Sequence, residues 1–112
     1  MESDELIENA GTASGILKAM SNERRLTILC HLVEAEKSVG ELEGLLDLSQ
    51  SALSQHLARL RRAGIVKTRR SAQTIYYSLN GGAASAIIRV LDNLFRVEPE
   101  EFAGSTQQAV NG

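Results

Sequence analysis

One stretch of the chain, residues 49–73, restricts the possible fold more than any other part of the sequence. It reads SQSALSQHLARLRRAGIVKTRRSAQ, and Leu53, Leu57 and Leu60 recur in it at the spacing of one helical face. The stretch contains six Lys or Arg and no Asp or Glu, although the whole chain has 12 basic and 14 acidic residues. Such a local excess of positive charge is typical of proteins that bind nucleic acid.

The helical face opposite these leucines carries no carboxylate. A helical wheel places polar, basic or small side chains there: Ser51, Gln55 and Arg62 opposite the leucines, Ala58 and Arg59 beside them, and Gln50, Ser54 and Arg61 on one flank. Ser and Gln hydrogen-bond base edges, and Arg pairs with phosphate, so this face is a candidate for DNA recognition. The alternative is an ordinary solvated helix face, although such faces usually mix charges of both signs.

A shorter helix is predicted immediately before this one. Ser38 and Glu41 match the S-x-x-E capping box, so the helix should begin at Val39. It is followed by Asp47-Leu48-Ser49, and Ser49 can cap the next helix. Two helices joined by about three residues, the second with the basic face, indicate a helix-turn-helix.

A β-hairpin is predicted after the helix-turn-helix. Gly64 suits the left-handed position that ends a helix, and residues 65–70 and 74–79 are rich in β-branched and aromatic types. The connection would be Ser71-Ala72-Gln73, with Arg69 and Arg70 at the tip. A hairpin in this place is a wing that can reach the minor groove or the phosphates. The alternative is an exposed hairpin whose charges only aid solubility.

Three more helices are predicted around this unit. The first twenty residues carry one apolar stripe, Leu6, Ala10, Ala13, Leu17 and Met20, and Gly11 with Gly15 indicates close packing against another helix, unless the segment is frayed or broken. A helix capped by Asn22 should turn inward a stripe formed by Leu26, Leu29, Cys30 and Val33. A last helix after Asn80-Gly81-Gly82 carries a stripe formed by Ile87, Val90, Leu91, Leu94 and Phe95.

The predicted fold is therefore mainly α with a β-hairpin wing, a winged helix-turn-helix of order α-α-α-α-β-β-α. The first and last helices carry apolar stripes that a compact winged domain does not cover, so we expect a homodimer through these helices. Residues 1–97 are expected to form the DNA-binding and dimerisation domain. Residues 98–112 lose periodicity and are expected to be a flexible C-terminal tail.

Composition argues against other classes of protein. No apolar run approaches the roughly 18 residues of a membrane span, and the acidic N-terminus is unlike a signal peptide, so a cytoplasmic location is expected. With Cys30, His31 and His56 as the only Cys and His residues, neither a metal site nor a cofactor is expected. No catalytic motif is recognisable in the sequence. Cys30 and His31 could suggest a nucleophile with its base, but adjacent residues on a helix point about 100° apart and do not face each other. A winged helix that binds another protein remains an alternative function.

The long runs LSQSALSQHLARLR and RRSAQTIYYSL, in the same order of elements, resemble the ArsR family of bacterial winged helix-turn-helix repressors. The resemblance covers roughly residues 10–97. Within the family, the chain looks most like the branch that contains the thiol-based sulfide and biofilm-growth regulators and the nodulation repressor. It implies a homodimer that binds inverted repeats in promoter DNA and represses transcription. The implied DNA contacts are Gln50, Ser51, Ser54, Gln55, His56 and the wing from Arg69 to Gln73, whereas the helical wheel places His56 nearer the buried edge.

The resemblance also bears on the effector. Metal-sensing relatives carry a cysteine pair where this chain has Val39-Gly40-Glu41-Leu42, and zinc-sensing relatives use His on the last helix, where this chain offers Asp92 without any His. Dithiol relatives pair a cysteine matching Cys30 with one near Arg96. Two readings of Cys30 therefore stay open: a small buried side chain with a raised thiol pKa, or a single-thiol sensor of oxidants or reactive sulfur.

Overall fold

The computed structural model describes residues 3–97, which fold into helices and one small sheet. The elements are α1 (Ser3–Glu8), α2 (Ala10–Met20), α3 (Glu23–Glu34), β1 (Lys37–Ser38), α4 (Val39–Leu45), α5 (Gln50–Arg62), β2 (Val66–Ser71), β3 (Thr74–Leu79) and α6 (Ala83–Val97). This is the predicted winged helix-turn-helix, with α4 and α5 as its helix pair and β2–β3 as its wing. The predicted tail, residues 98–112, lies outside the described residues. No helix in the described part is long and apolar enough to cross a membrane.

The predicted first helix is two helices in the structure. Asn9 leaves the helical conformation at φ −105° and ψ 15°, and its side-chain amide donates to the carbonyl of Glu5 at 2.8 Å. The periodic apolar stripe continues through this turn, which is why the sequence pattern does not reveal it. The stripe is also only partly covered: Met20 is buried, whereas Leu6 and Leu17 are exposed.

The sheet has three antiparallel strands in the order β1-β3-β2, one more than predicted. The added strand, β1, pairs Lys37 with Tyr77 and Ser38 with Tyr76. It is too short to leave a periodic signal in the sequence, since it exists only through its pairing with β3. Because Ser38 is also the N-cap of α4, the sheet is joined directly to the helix-turn-helix.

The wing closes later along the chain than predicted. Strand β2 extends to Ser71, which pairs with Thr74, so the turn consists of Ala72 and Gln73 alone. Arg70 and Arg69 are the second and third pairs back from this turn, and the prediction that both lie at the tip is therefore wrong. Ala72 has a φ of 55°, as expected for the first residue of a tight hairpin turn.

The hydrophobic core lies where α3, α4 and α5 meet the base of the sheet and the inner side of α6. Its largest fully buried side chains are Ile28, Leu29, Leu42, Leu53, Leu57 and Leu60. Burying a leucine of this kind stabilises a fold by about 1.5–3 kcal/mol, so the predicted stripe on α5 holds this helix against the core. The end of α2 and Ala84 and Ile88 of α6 complete the core.

The helix ends follow the predicted capping. The Asn22 side chain accepts from the amides of Arg24 and Arg25 at 3.0 and 3.1 Å. Ser38 and Glu41 form the reciprocal capping box, at 2.8 and 3.1 Å. Ser49 accepts from the amide of Ala52 at 3.1 Å. Gly64 has a φ of 76°, which confirms the left-handed residue predicted after α5.

One prediction about packing within the chain is wrong. Cys30 is exposed rather than buried, because α3 turns Ile28, Leu29 and Leu32 toward the core and Cys30 lies about 100° away from Leu29. Apart from the adjacent backbone of α2 itself, nothing in the described chain comes within 4 Å of a Cβ built on Gly11 or Gly15. The close helix contact predicted at these glycines is not made within the described part of the chain, and its formation with a helix of a second subunit stays a prediction.

Candidate nucleic-acid interface

Helix α5 presents the polar face that the sequence predicts. Its apolar stripe is almost completely buried, so the orientation of the helix about its axis is determined. The predicted contact residues Gln50, Ser51, Ser54, Gln55 and Arg62 are exposed, and Arg59 is partly covered. No acidic side chain interrupts this helix. The face can therefore meet both base edges and phosphates.

Three arginines, Arg59, Arg61 and Arg62, lie in the last turn of α5. Cations at this end of a helix also interact favourably with the negative end of its dipole, by about 0.3–1 kcal/mol each. Their position therefore has a structural benefit that is independent of DNA. The dipole accounts for basic residues at the C-terminal end, but it does not account for the polar, uncharged side chains at the other end.

A cleft of about 360 Å³ separates α5 from the start of α4 and from the wing. Ser54, Ala58 and Arg62 line it on the side of α5, and Val39 and Tyr77 line it on the opposite side. The cleft adjoins the predicted recognition face. Sequence patterns could not assign Val39 and Tyr77 to it, since their placement depends on how β3 packs.

His56 faces α3 rather than the centre of the exposed face of α5. Its Nδ1 lies 3.5 Å from Nη1 of Arg25, and the Nε of Arg25 donates to the carbonyl of Ala19 at 2.6 Å. A guanidinium can only donate, so Nδ1 is the acceptor in this contact and the ring proton belongs on Nε2. Burial and the nearby guanidinium groups of Arg25 and Arg24 lower the pKa of His56. His56 is thus a partly covered histidine whose surroundings favour the neutral ring, and its predicted contact with DNA stays a prediction.

The two wing arginines lie on opposite faces of the sheet. Residues paired directly across antiparallel strands share a face, and faces alternate along a strand. Arg70 pairs with Ile75 and so shares its face with Tyr77, which lines the cleft beside α5. Arg69 pairs with Tyr76 on the other face, where its guanidinium lies 4.4 Å from the Tyr76 ring centroid and is bonded to Glu36. Gln73 is exposed in the turn.

Cys30 opens onto a groove of about 600 Å³ between α3 and α6. Leu26 and Val33 of α3 and Ile88 and Leu91 of α6 form its apolar wall. Partial desolvation of the exposed Cys30 by this wall, together with the carboxylates of Asp92 and Glu34, raises the pKa of its thiol. Arg96, the position that the resemblance aligns with the second cysteine of dithiol relatives, lines the same groove and pairs with Asp92 at 2.7 Å.

Two residues with direct partners in the candidate site were absent from the sequence prediction. Arg25 reaches His56 from α3, and Glu36 reaches Arg69 from the residue before β1. Both contacts join residues that are more than thirty positions apart, so no local pattern could predict them. No group of three or more His, Cys, Asp or Glu side chains that could hold a metal ion occurs among residues 3–97.

Comparison with known proteins adds an independent line of support. Residues 22–68 match the family model described as "Bacterial regulatory protein, arsR family". The chain is 54% identical over 95 residues to the transcriptional activator HlyU of Vibrio cholerae, covering 85% of this chain and 88% of that protein. It is 37% identical over 101 residues to the biofilm growth-associated repressor of Xylella fastidiosa, covering 90% of this chain and 89% of that protein.

Solved structures agree with these matches. HlyU from Vibrio cholerae superposes with a TM-score of 0.75 at 54% identity, over 85% of this chain and 98% of that chain. The homodimeric winged helix-turn-helix DNA-binding domain Mb0332 from Mycobacterium bovis superposes with a TM-score of 0.69 at 26% identity, over 83% of this chain and 89% of that chain.

Proposed function

The chain belongs to the arsR family of bacterial regulatory proteins and is a DNA-binding transcriptional regulator, and from this premise we propose that it represses transcription as a homodimer on an inverted-repeat operator. One observation carries the proposal: α5 exposes Ser51, Gln55 and Arg62 on a face without carboxylates. The name of the Xylella relative supports repression, whereas that of the Vibrio relative points to activation. We propose the cytoplasm as its location, because bacterial promoter DNA is there.

The proposed DNA contacts divide into two kinds. Gln50, Ser51, Ser54 and Gln55 are proposed to read base edges in the major groove, since all four are exposed on the first two turns of α5. Arg59, Arg62, Arg70 and Gln73 are proposed to hold the backbone or the adjacent minor groove. His56 is proposed mainly to position α5, because its Nδ1 already faces Arg25. Arg69, predicted from sequence as a DNA contact, has an internal partner that gives it another role, argued below.

Salt dependence of binding to duplex DNA tests the proposal. If about three cations of each subunit contact phosphate, a dimer neutralises about six phosphates, and log K should fall with log salt at a slope near −5. The two half-sites should be centred about one helical turn apart, roughly 34–36 Å. An operator can be selected from genomic fragments and mapped by footprinting. A monomer whose binding is insensitive to salt would contradict the proposal.

Paired substitutions separate base reading from backbone contact. Gln55→Ala should cost about 1–3 kcal/mol on the operator and relax the preference at one base pair, because a Gln can bond adenine at two atoms. Arg70→Ala should weaken operator and random DNA to a similar extent. Binding of each variant to both duplexes measures the difference. Equal losses on both duplexes for both variants would show that α5 does not read sequence.

Thiol-dependent control is a second candidate function. The accessible Cys30 in the groove between α3 and α6 favours it, since a cap on the sulfur would occupy that groove and shift α3 against α6. Polysulfide should then release the wild-type protein from the operator and leave Cys30→Ser bound. If both proteins respond alike, the regulator acts without this thiol, and a constitutive repressor becomes the better description.

A further inference from the structure

Arg69 and Glu36 form a bidentate ion pair across the whole width of the sheet. The Nε of Arg69 donates to Oε2 of Glu36 at 2.8 Å, and Nη2 donates to Oε1 at 2.7 Å. Two parallel N–H···O bonds determine the plane and the direction of a guanidinium as well as its position. Neither residue attracts attention in the sequence as half of a pair, because 33 positions separate them.

The pair joins the two edge strands over the middle strand. Glu36 directly precedes β1, Arg69 belongs to β2, and β3 lies between these strands. Tyr76 of β3 is the residue bridged, since it pairs with Ser38 on one side and with Arg69 on the other. The Arg69 guanidinium lies 4.4 Å from the Tyr76 ring centroid, a favourable cation–π distance. The three strands β1, β3 and β2 are thus connected by side-chain contacts as well as by backbone hydrogen bonds.

The connection extends from the wing to the helix-turn-helix. Ser38, two residues after Glu36, accepts from the amide of Glu41 and so caps α4. A rotation of β2–β3 about the base of the sheet would have to break the Arg69–Glu36 pair or move the cap of α4. The angle between the wing and the recognition helix decides whether both can contact one duplex.

The charge of Arg69 is compensated by Glu36. The adjacent Arg70 has no such ion pair among the described residues. Among the described residues, the ion pairs in the structure join Arg69 to Glu36, Arg96 to Asp92, and His31 to Glu34. Arg70 belongs to none of them and lies on the face shared with Tyr77 and the cleft beside α5. The two adjacent arginines therefore differ both in direction and in available charge.

We propose that Glu36 is a positioning residue for DNA binding: it holds Arg69 as a strut across the exposed surface of the sheet, so that Arg70, not Arg69, is the wing arginine that contacts phosphate. The inference rests on the proposed function, since it concerns how the wing meets an operator. It revises the role that the sequence pattern predicts for Arg69. It also assigns a role to an acidic residue in a region where acidic residues would ordinarily repel DNA.

Salt dependence distinguishes a strut from a phosphate contact. Each phosphate contact contributes about 0.9 to the slope of log K against log salt, so one arginine per subunit contributes about 1.8 in a dimer. Arg70→Ala should reduce the magnitude of the slope by about 1.8. Arg69→Ala should leave the slope at the wild-type value and lower the ratio of operator to random affinity, because the wing is no longer held. An Arg69→Ala slope reduced as much as that of Arg70→Ala would overturn the proposal.

Glu36→Gln provides the reciprocal test. It keeps the size of the side chain and removes the charge, so Arg69 becomes an uncompensated cation on the wing. The slope of log K against log salt should steepen by up to about 1.8. The variant should also bind random DNA several-fold more tightly than the wild-type protein does. A Glu36→Gln protein with the wild-type slope and the wild-type affinity for random DNA would contradict a compensated Arg69.

A charge exchange guards against a simple loss of folding. The double variant E36R/R69E rebuilds the pair with reversed charges, so it should recover the operator preference that Arg69→Ala loses. If Arg69 contacted phosphate, the exchange would instead place a carboxylate against the DNA and weaken binding beyond Arg69→Ala.

Nitrogen NMR of the Arg69 side chain in the wild-type protein should show the same Nε signal before and after operator is added. A wild-type protein that binds neither duplex would count against the proposed function itself, whereas the NMR signal of the free protein still reports whether Arg69 is paired.

Discussion

The Cys30 thiol is accessible, yet its surroundings favour the protonated form. Partial desolvation by the groove wall and the carboxylates of Asp92 and Glu34 all raise its pKa. Since the thiolate is the reactive species, we expect alkylation by iodoacetamide at neutral pH to be slower than for a free cysteine. The midpoint of the rate against pH should lie above that of the free thiol.

The matched variant for this prediction is Asp92→Asn. It removes the carboxylate that contributes most among the charges and also releases Arg96 from its pair, and both changes favour the thiolate. The midpoint should therefore move down. A wild-type midpoint at or below that of free cysteine would disprove the predicted environment of the thiol.

His56 should make stability depend on pH. Its pKa is lowered in the folded chain, so the unfolded chain binds the proton more readily. The stability involved is fully present above the unfolded pKa of about 6.5 and is lost as the pH falls through the folded pKa. The melting temperature should thus fall from about pH 7.5 to about pH 5.5, and His56→Asn should flatten part of that change.

Arg25→Gln is the companion variant for His56. It should lower stability at every pH, because Arg25 also donates to the carbonyl of Ala19. It should nevertheless reduce the pH dependence, since one of the cations that lower the pKa of His56 is gone. A pH profile unchanged in both variants would mean that other groups cause the acid sensitivity.

At the scale of elements, the wing turn contains a strained residue. Ala72 has a φ of 55°, a conformation that costs a residue with a Cβ about 1–2 kcal/mol. Ala72→Gly removes this cost but adds flexibility to the unfolded chain, so we expect a net gain of about 0.5–1 kcal/mol in the free energy of unfolding. Ala58→Gly, in the middle of α5, should instead lose about 1 kcal/mol. Urea denaturation measures both, and a destabilised Ala72→Gly would argue against this turn.

Element types and caps were predictable where the signal is local. The capping box at Ser38 and Glu41, the cap at Ser49 and the left-handed Gly64 each depend on residues a few positions apart, and all three are present. The break at Asn9 and strand β1 were not predictable, because one lies within an unbroken periodic stripe and the other exists only through pairing with β3.

The candidate site was predictable to the same degree. The exposed face of α5 follows from the leucine spacing, and its residues are where the helical wheel places them. The partners of His56 and Arg69 come from other elements, so the wheel could not distinguish a free side chain from a paired one. The exposure of Cys30 depends on the rotation of α3 within a wide apolar face, which spacing alone leaves open.

At the scale of the molecule, apolar side chains remain exposed on the helices predicted to dimerise. Leu17 on α2 is 54% exposed and Val90 on α6 is 62% exposed, and nothing in the described chain approaches Gly11 or Gly15. Val90→Asp should produce a monomer, because a carboxylate in an apolar interface cannot keep its hydration. It should also halve the salt slope of DNA binding, since one recognition segment then binds alone.

Leu45→Asp is the control for this substitution. Leu45 is 51% exposed at the end of α4, a helix that is not among those predicted to dimerise, so this variant should keep the wild-type oligomeric state. Sedimentation equilibrium distinguishes the two results. A dimeric Val90→Asp, or a monomeric Leu45→Asp, would place the subunit contact elsewhere.

The two contacts of Arg25, with Ala19 and with His56, affect the design of chimeras that exchange DNA specificity between such regulators. Arg25 holds the end of α2 through the Ala19 carbonyl and the recognition helix through His56, so its side chain joins the two segments. A chimera that exchanges only residues 50–62 for another recognition helix would leave Arg25 facing whatever residue replaces His56. The smallest unit that can be grafted intact therefore includes the first turn of α3 along with α5.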